Sequence, residues 1–183
     1  PQGAAGVDSK KNNSRTESPC LMPDSVLNEL TDASLPQTRA GEIARGTLRL
    51  LAGHGYFGVT EMTLANNRRA DIAAVGPAGE IAMVEIKSSV ADFRADSKWP
   101  DYMPFCDRFY FAVMADFPQD LIPEAAGLIV ADAFGGAVIR EAIPDKLAGA
   151  RRKAVMLRFA RLAASRLQAG QDAGWTAAQV SHT

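Results

Sequence analysis

Ile81-Ala82-Met83-Val84-Glu85-Ile86-Lys87 is apolar except at Glu85 and Lys87, with Gly79 shortly before it and Ser88-Ser89 after it. A short apolar run between turn-forming residues reads as a central β-strand covered on both faces. Charges are costly in such a strand. Residues two apart on a strand point to the same face, so Glu85 and Lys87 form one local cluster.

The segment before it, 70–75, reads as a second strand, and Gly76, Pro77 and Gly79 supply the turn between the two. A hairpin symmetric about Ala78 pairs Val75 with Ile81 and sets Asp71 opposite Glu85. Opposed carboxylates repel unless a proton or a cation lies between them. Magnesium, with manganese as its substitute, suits the position as a hard ion that takes one or two carboxylates, the Ile86 carbonyl and several waters. Lys87, one strand step away, is then placed to hold or polarise an attacking water, or to balance charge growing on a phosphate. The same three side chains also suit a cross-strand ion-pair cluster on a partly wet sheet face, and spacing alone leaves both readings open.

Around this hairpin the order of elements is helix, three strands, helix, strand, hairpin, helix. Ile43, Leu50 and Leu51 share one face of a helix over 40–52 that the turn at Gly53 to Gly55 closes, with Glu42, Arg45 and Arg49 on another. Strands are expected at 57–64, 70–75 and 81–87, and a helix at 89–98 ended by Pro100. A buried aromatic strand follows at 108–113, a hairpin at 128–131 and 137–141 around Gly135-Gly136, and a long helix at 147–167. The expected fold is α/β, a mixed sheet flanked by helices.

The totals fit one globular domain, since 183 residues with 47% hydrophobic and 22% charged side chains bury a sizeable core. Residues 1–37, rich in Ser, Asn, Asp, Pro and Gly without an apolar period, read as a disordered leader. The folded domain spans 38–169, and 170–183 reads as a flexible tail. Cys20 and Cys106 are too far apart for a metal knuckle, and with no apolar run long enough to cross a bilayer the expected setting is the cytoplasm, without a membrane partner. His54 and His182 have no partner spacing for zinc or for a nucleophilic triad, and no glycine-rich loop has the spacing of a nucleotide-binding loop. The net charge of −1 argues against a domain-wide positive field, so any nucleic-acid contact must rest on local charge.

That local charge lies mainly on the last helix. Arg151, Arg152, Lys153, Arg158, Arg161 and Arg166 accompany an apolar stripe of Val155, Met156, Phe159, Ala163 and Leu167, with no acidic residue from Lys146 to Arg166. Arg158 and Arg161 suit phosphate contacts; a solvated helix face is the plain alternative. Arg68 and Arg69, just before Asp71, suit a backbone phosphate at the mouth of the site, or a turn surface. Arg94 and Lys98, four apart on the expected helix, are placed to flank a nucleic-acid groove, while Phe93 and Trp99 read as core anchors beneath it. Ser88 and Ser89 read as helix caps, with Ser88 close enough to touch the site's water or phosphate.

Asp71 followed by Glu85-Ile86-Lys87, after a helix bearing Glu42, resembles the PD-(D/E)XK nuclease superfamily. More closely, Gly41-Glu42-Ile43-Ala44-Arg45-Gly46, Arg68-Arg69-Ala70-Asp71, and Val84-Glu85-Ile86-Lys87-Ser88-Ser89-Val90 through Asp92-Phe93-Arg94-Ala95-Asp96 to Lys98-Trp99-Pro100-Asp101-Tyr102 resemble the MmcB-type family of bacterial DNA-repair proteins. The resemblance runs from about Gly41 to Leu167. It implies a restriction-endonuclease-like fold, an endonuclease role in DNA repair, and a metal site at Asp71, Glu85 and Lys87, with Glu42 matching the helix carboxylate that often completes such sites. Ala70 stands where the superfamily motif has proline. DNA is the implied partner, with other repair proteins as further candidates. Two further functions fit the same fold: a repair module that binds nucleic acid without cutting it, and a scaffold that binds protein alone.

Overall fold

The computed structural model describes residues 38–172. The expected leader, and all but the start of the expected tail, lie outside them. Helix α1 (Arg39–Gly53) starts where the Thr38 side chain accepts from the Gly41 N–H at 3.2 Å, and it stops at Gly53, followed by His54 and Gly55. The sheet follows as β1 (Phe57–Thr63), β2 (Arg69–Val75), β3 (Ile81–Ile86), β4 (Arg108–Val113), β5 (Gly127–Ala131) and β6 (Gly136–Arg140). A short helix α2 (Val90–Ala95) lies between β3 and β4, and α3 (Gly149–Gln171) closes the described chain.

The strands sit side by side in sequence order. β1, β2 and β3 form an antiparallel meander, β4 and β5 add in parallel, and β6 turns back antiparallel. Val75 pairs with Ile81, and Ile72 with Val84, as symmetry about Ala78 requires. β3 is buried at every position, so the apolar run is a central strand. The architecture is therefore the expected mixed α/β sheet flanked by helices.

Alternation sends Ile72, Ala74, Ala82, Val84 and Ile86 to the α1 face, where Ile43, Ala44 and Leu51 cover them. Ala73, Ile81, Met83, Phe109 and Phe111 face the other way, under Phe93, Trp99 and Tyr102 and under Val155 and Phe159 of α3. Phe93 meets Phe111 edge-on at 5.6 Å, and Trp99 stacks on Phe109 at 5.7 Å. These rings are core anchors.

Two expectations are corrected. The helix expected over 89–98 ends at Ala95, because the Asp96 carboxylate turns back to accept from the Lys98 N–H and from Lys87. Arg94 and Lys98 therefore do not share a helix face. Leu167, expected in the apolar stripe of α3 with Val155, is 58% exposed. At 3.6 residues per turn it lies about a third of a turn away from Val155, the helix's buried residue.

Gly46 marks the contact between α1 and the β5–β6 turn. A Cβ there would lie 2.0 Å from the Asp132 carbonyl oxygen and 2.4 Å from that of Gly135. Both neighbours are backbone and cannot swing aside. Gly46→Ala is expected to destabilise the domain by about 2 kcal/mol, although alanine is the better helix former by about 1 kcal/mol. Urea denaturation checks this; an unchanged midpoint would mean that α1 is free to shift away from the turn.

Candidate active site

Where the start of β2 and the end of β3 meet the N-terminus of α1 and the segment after α2, a cleft of about 590 Å³ opens. Its lining includes Asp71, Glu85, Ile86 and Lys87 from the sheet, Arg68 and Arg69 from the start of β2, Thr60 and Glu61 from β1, and Asp92, Asp96, Lys98 and Tyr102 from the connection to β4. The strand register continued one step past Ile72 and Val84 sets Asp71 across from Glu85. Asp71 is oriented by the strand itself, its Oδ2 accepting from the Ile86 N–H at 2.8 Å.

Glu85 and Lys87 are 7% and 3% exposed. Lys87 Nζ donates to Glu85 Oε1 at 3.2 Å and to Asp96 Oδ2 at 2.6 Å. Glu85 Oε2 is buried without a hydrogen-bond partner among the described residues. A buried, unpaired carboxylate oxygen is expensive unless a proton or a cation takes it.

The protonation equilibria follow from this geometry. Burial, reinforced by the charge of Asp71 and only partly offset by Lys87, pushes the Glu85 carboxyl up to about 8. Burial also raises Asp71, against the stabilising Ile86 N–H. Burial opposes the charge on Lys87, but the hydrogen bond to Asp96 and the Glu85 carboxylate outweigh it, so its pKa is raised and it remains an ammonium. Burial of Asp96 is likewise outweighed, by the hydrogen bonds from Lys87 and the Lys98 N–H, and its pKa falls. The Tyr102 hydroxyl donates to the Arg69 carbonyl at 3.0 Å, and its pKa is raised by burial and then by Glu85, Asp71 and Asp96.

Between the ordinary carboxylate range and about pH 8, the folded, metal-free protein thus holds a proton on Glu85 that the unfolded chain has lost. Its stability is expected to fall as pH rises through that window, and the fall should shrink in Glu85→Gln. Thermal melts of both proteins in chelator check this. Parallel curves would exclude Glu85 as the titrating group.

Other expected site residues are placed differently. Arg68 is tied to Asp101, with Nε and Nη2 at 2.9 and 2.7 Å from Oδ2, and Arg69 is ion-paired with Glu61. Both line the cleft, but each already has a carboxylate. Lys98 lines the cleft, whereas exposed Arg94 does not. Ser89 caps α2 through Asp92 N, while Ser88 donates to Asp92 Oδ2 from its amide and its hydroxyl at 3.1 and 3.3 Å and is not in the lining. Glu42 is also absent from the lining: Ala40, Gly41 and Ala44 form the helix wall, and the turn of about 100° per residue carries Glu42 off that face. Arg158 and Arg161 lie on α3, outside the cleft lining.

Asp96 and Glu61 were not singled out in the sequence. Asp96 reaches Lys87 because the chain leaving α2 returns beside the end of β3. Glu61 holds a left-handed backbone, φ 53°, at the position facing Asp71, which breaks the alternation of β1 so that Val59 and Met62 both join the same core. Such a conformation at glutamate costs about 1 kcal/mol and has no sequence signature.

The donor set at Asp71 and Glu85 fits a magnesium ion on its chemistry: two hard oxygen donors opposed across adjacent strands, one with a buried free oxygen. Among the described residues no three His, Cys, Asp or Glu side chains converge on a metal position. A two-carboxylate set suits magnesium, which keeps several waters and takes substrate phosphate as a further ligand.

The chain matches, over residues 26–174, the model of a protein family described as DNA repair protein MmcB-like. Its structure is similar to that of the SPO1766 protein of unknown function from Silicibacter pomeroyi, with a TM-score of 0.75 and 44% sequence identity, covering 78% of this chain and 99% of that one. No curated protein matches it. Among the described residues, no helix is long and apolar enough to cross a membrane.

Proposed function

The chain belongs to the MmcB-like family of DNA repair proteins, and from that membership we propose that the cleft is a magnesium-dependent nuclease site that hydrolyses phosphodiester bonds in DNA. The observation that carries this reading is the buried Glu85 oxygen, without a hydrogen-bond partner among the described residues, beside Asp71 and a charged Lys87.

Asp71 and Glu85 would hold the ion, with the Ile86 carbonyl as a further oxygen, and magnesium or manganese there supplies Lewis acidity toward a phosphate. The Ile86 N–H fixes the direction of Asp71. Lys87, as an ammonium, donates and does not accept hydrogen bonds. It therefore orients the attacking water and balances charge growing on the phosphate, rather than removing a proton. Asp96 holds the Lys87 ammonium in place and matches its charge, so Glu85 need not. Arg68 and Arg69 stand at the rim, where a DNA phosphate competes with Asp101 and Glu61 for their guanidinium groups.

A non-catalytic DNA-binding module is the second reading, favoured by the basic surface of α3. One assay separates the two. Purified protein is incubated with labelled duplex, single-stranded, nicked, flapped and branched DNA in magnesium or manganese, with chelator and Asp71→Ala as controls. Cleavage that needs both the metal and Asp71 is the expected result. Binding without cleavage across the whole panel would replace the nuclease reading with the docking one.

A further inference from the structure

Helix α3 lies on the sheet face away from α1 and buries little of itself. Val155 is its buried residue, with Met156, Phe159, Leu162 and Ala163 partly covered. Arg151, Arg158, Arg161 and Arg166 are exposed, and no acidic residue lies between Gly149 and Gln171. At the usual rise, Arg151 to Arg166 spans about 22 Å, comparable to about six base pairs of duplex. Arg166 Nη1 donates to Thr60 Oγ1 at 3.1 Å, and Thr60 lines the candidate active-site cleft. The basic patch therefore reaches the wall of that cleft through Arg166.

The residues between the arginines narrow the kind of nucleic acid. The exposed positions are Lys153, Ala154, Leu157, Ala160 and Ala164, and Phe159 is packed against the core. Proteins that hold single strands stack bases on aromatic side chains. At about 100° per residue Arg151 and Arg158 share a face, with Arg161 about 60° to one side of Arg158 and Arg166 about 80° to the other. Such a patch of cations, with no exposed aromatic side chain among the described residues of α3, instead suits the phosphate backbone of a duplex, whose bases are already stacked on each other.

We propose that α3 is the docking surface for a duplex arm of the DNA, lying beside the phosphodiester bond held in the cleft, so that the substrate is double-stranded on the α3 side. This rests on the nuclease reading for the position of the cleft, but its test needs no turnover. Binding of the full chain in chelator is measured by fluorescence anisotropy over a salt series, with a labelled blunt duplex and a single strand of equal length. Arg158→Ala/Arg161→Ala/Arg166→Ala is expected to weaken duplex binding more than tenfold at low salt and to flatten the log–log salt slope by roughly 2 to 3, at about 0.9 per lost phosphate contact. The single strand should lose far less.

Arg161→Glu alone, at an exposed position, guards against a folding defect in the triple variant and should also weaken duplex binding. Unchanged duplex affinity in both variants overturns the proposal, as does an equal loss on the single strand. If the wild-type protein binds duplex through these arginines but cuts nothing in magnesium, the nuclease reading fails and the duplex surface stands. If it cuts while the triple variant binds normally, only the surface fails.

Discussion

Asp71→Asn, Glu85→Gln and Lys87→Met are each expected to leave a folded protein whose magnesium-dependent cleavage of DNA falls by about a thousandfold or more. A positioned divalent ion contributes several kcal/mol of transition-state stabilisation, and each 1.36 kcal/mol is about tenfold in rate. The neutral substitutes keep the volume of the side chains they replace, so the sheet needs no rearrangement. Glu85→Gln also removes the need to protonate or compensate a buried carboxyl. Manganese binding, followed by electron paramagnetic resonance, separates the roles. Asp71→Asn and Glu85→Gln should lose the ion, whereas Lys87→Met should keep it and lose turnover. Undiminished cleavage by all three variants would remove the site from the chemistry, and the cluster would then be an ion-pair network that tidies the end of the sheet.

The largest loss of stability is expected at Asp107, far from the cleft. This side chain, 7% exposed, accepts from Ile81 N at 2.7 Å, Leu147 N at 2.9 Å, and Arg152 Nη1 and Nη2 at 2.8 and 2.6 Å. It thereby ties the start of β3, the segment before α3 and α3 itself to the start of β4. Asp107→Ala strands the buried N–H groups of Ile81 and Leu147 and takes the carboxylate from the part-buried Arg152, which keeps the Gly79 carbonyl. Removing one partner of such a pair costs about 3 kcal/mol, which for a domain of this size lowers Tm by about 10 °C.

Burial raises the Asp107 carboxyl, but the Arg152 guanidinium and the Ile81 and Leu147 N–H groups outweigh it, so its pKa is depressed. Its contribution is therefore fully present above the ordinary carboxylate range and is lost as pH falls through the depressed folded value. The gap between wild type and Asp107→Ala should be wide at neutral pH and close in acid. A gap of the same size at both extremes would mean that the loss comes from packing and not from the charge.

The hairpin that carries the proposed chemistry was legible because several local signals agree there. The apolar run, the Gly76-Pro77-Ala78-Gly79 turn and the period of two fix the strands, and a tight turn fixes the register, which is why Val75 meets Ile81 as symmetry demands. The aromatic strand at Arg108–Val113 and the rings of Phe93 and Trp99 were legible for the same reason, since large apolar side chains have few places to go. α2 is shorter than its sequence pattern implies because the competitor for its last turn is an ion pair with a residue on another element.

By itself, then, the sequence determined the mixed α/β architecture, the central strand, and the shared face of Asp71, Glu85 and Lys87, because local periodicity and short turns dictate all three. Tertiary structure alone decided the surroundings of that cluster. Asp96 rather than Glu42 joins it, Glu61 and Tyr102 close its walls, Arg68 and Arg69 arrive already paired, and one oxygen of Glu85 is left without a partner among the described residues. Those outcomes depend on how the segment after α2 folds back and on how α1 is rotated. Contacts between residues distant in the chain carry no periodicity from which they can be read; they appear only once the elements are packed.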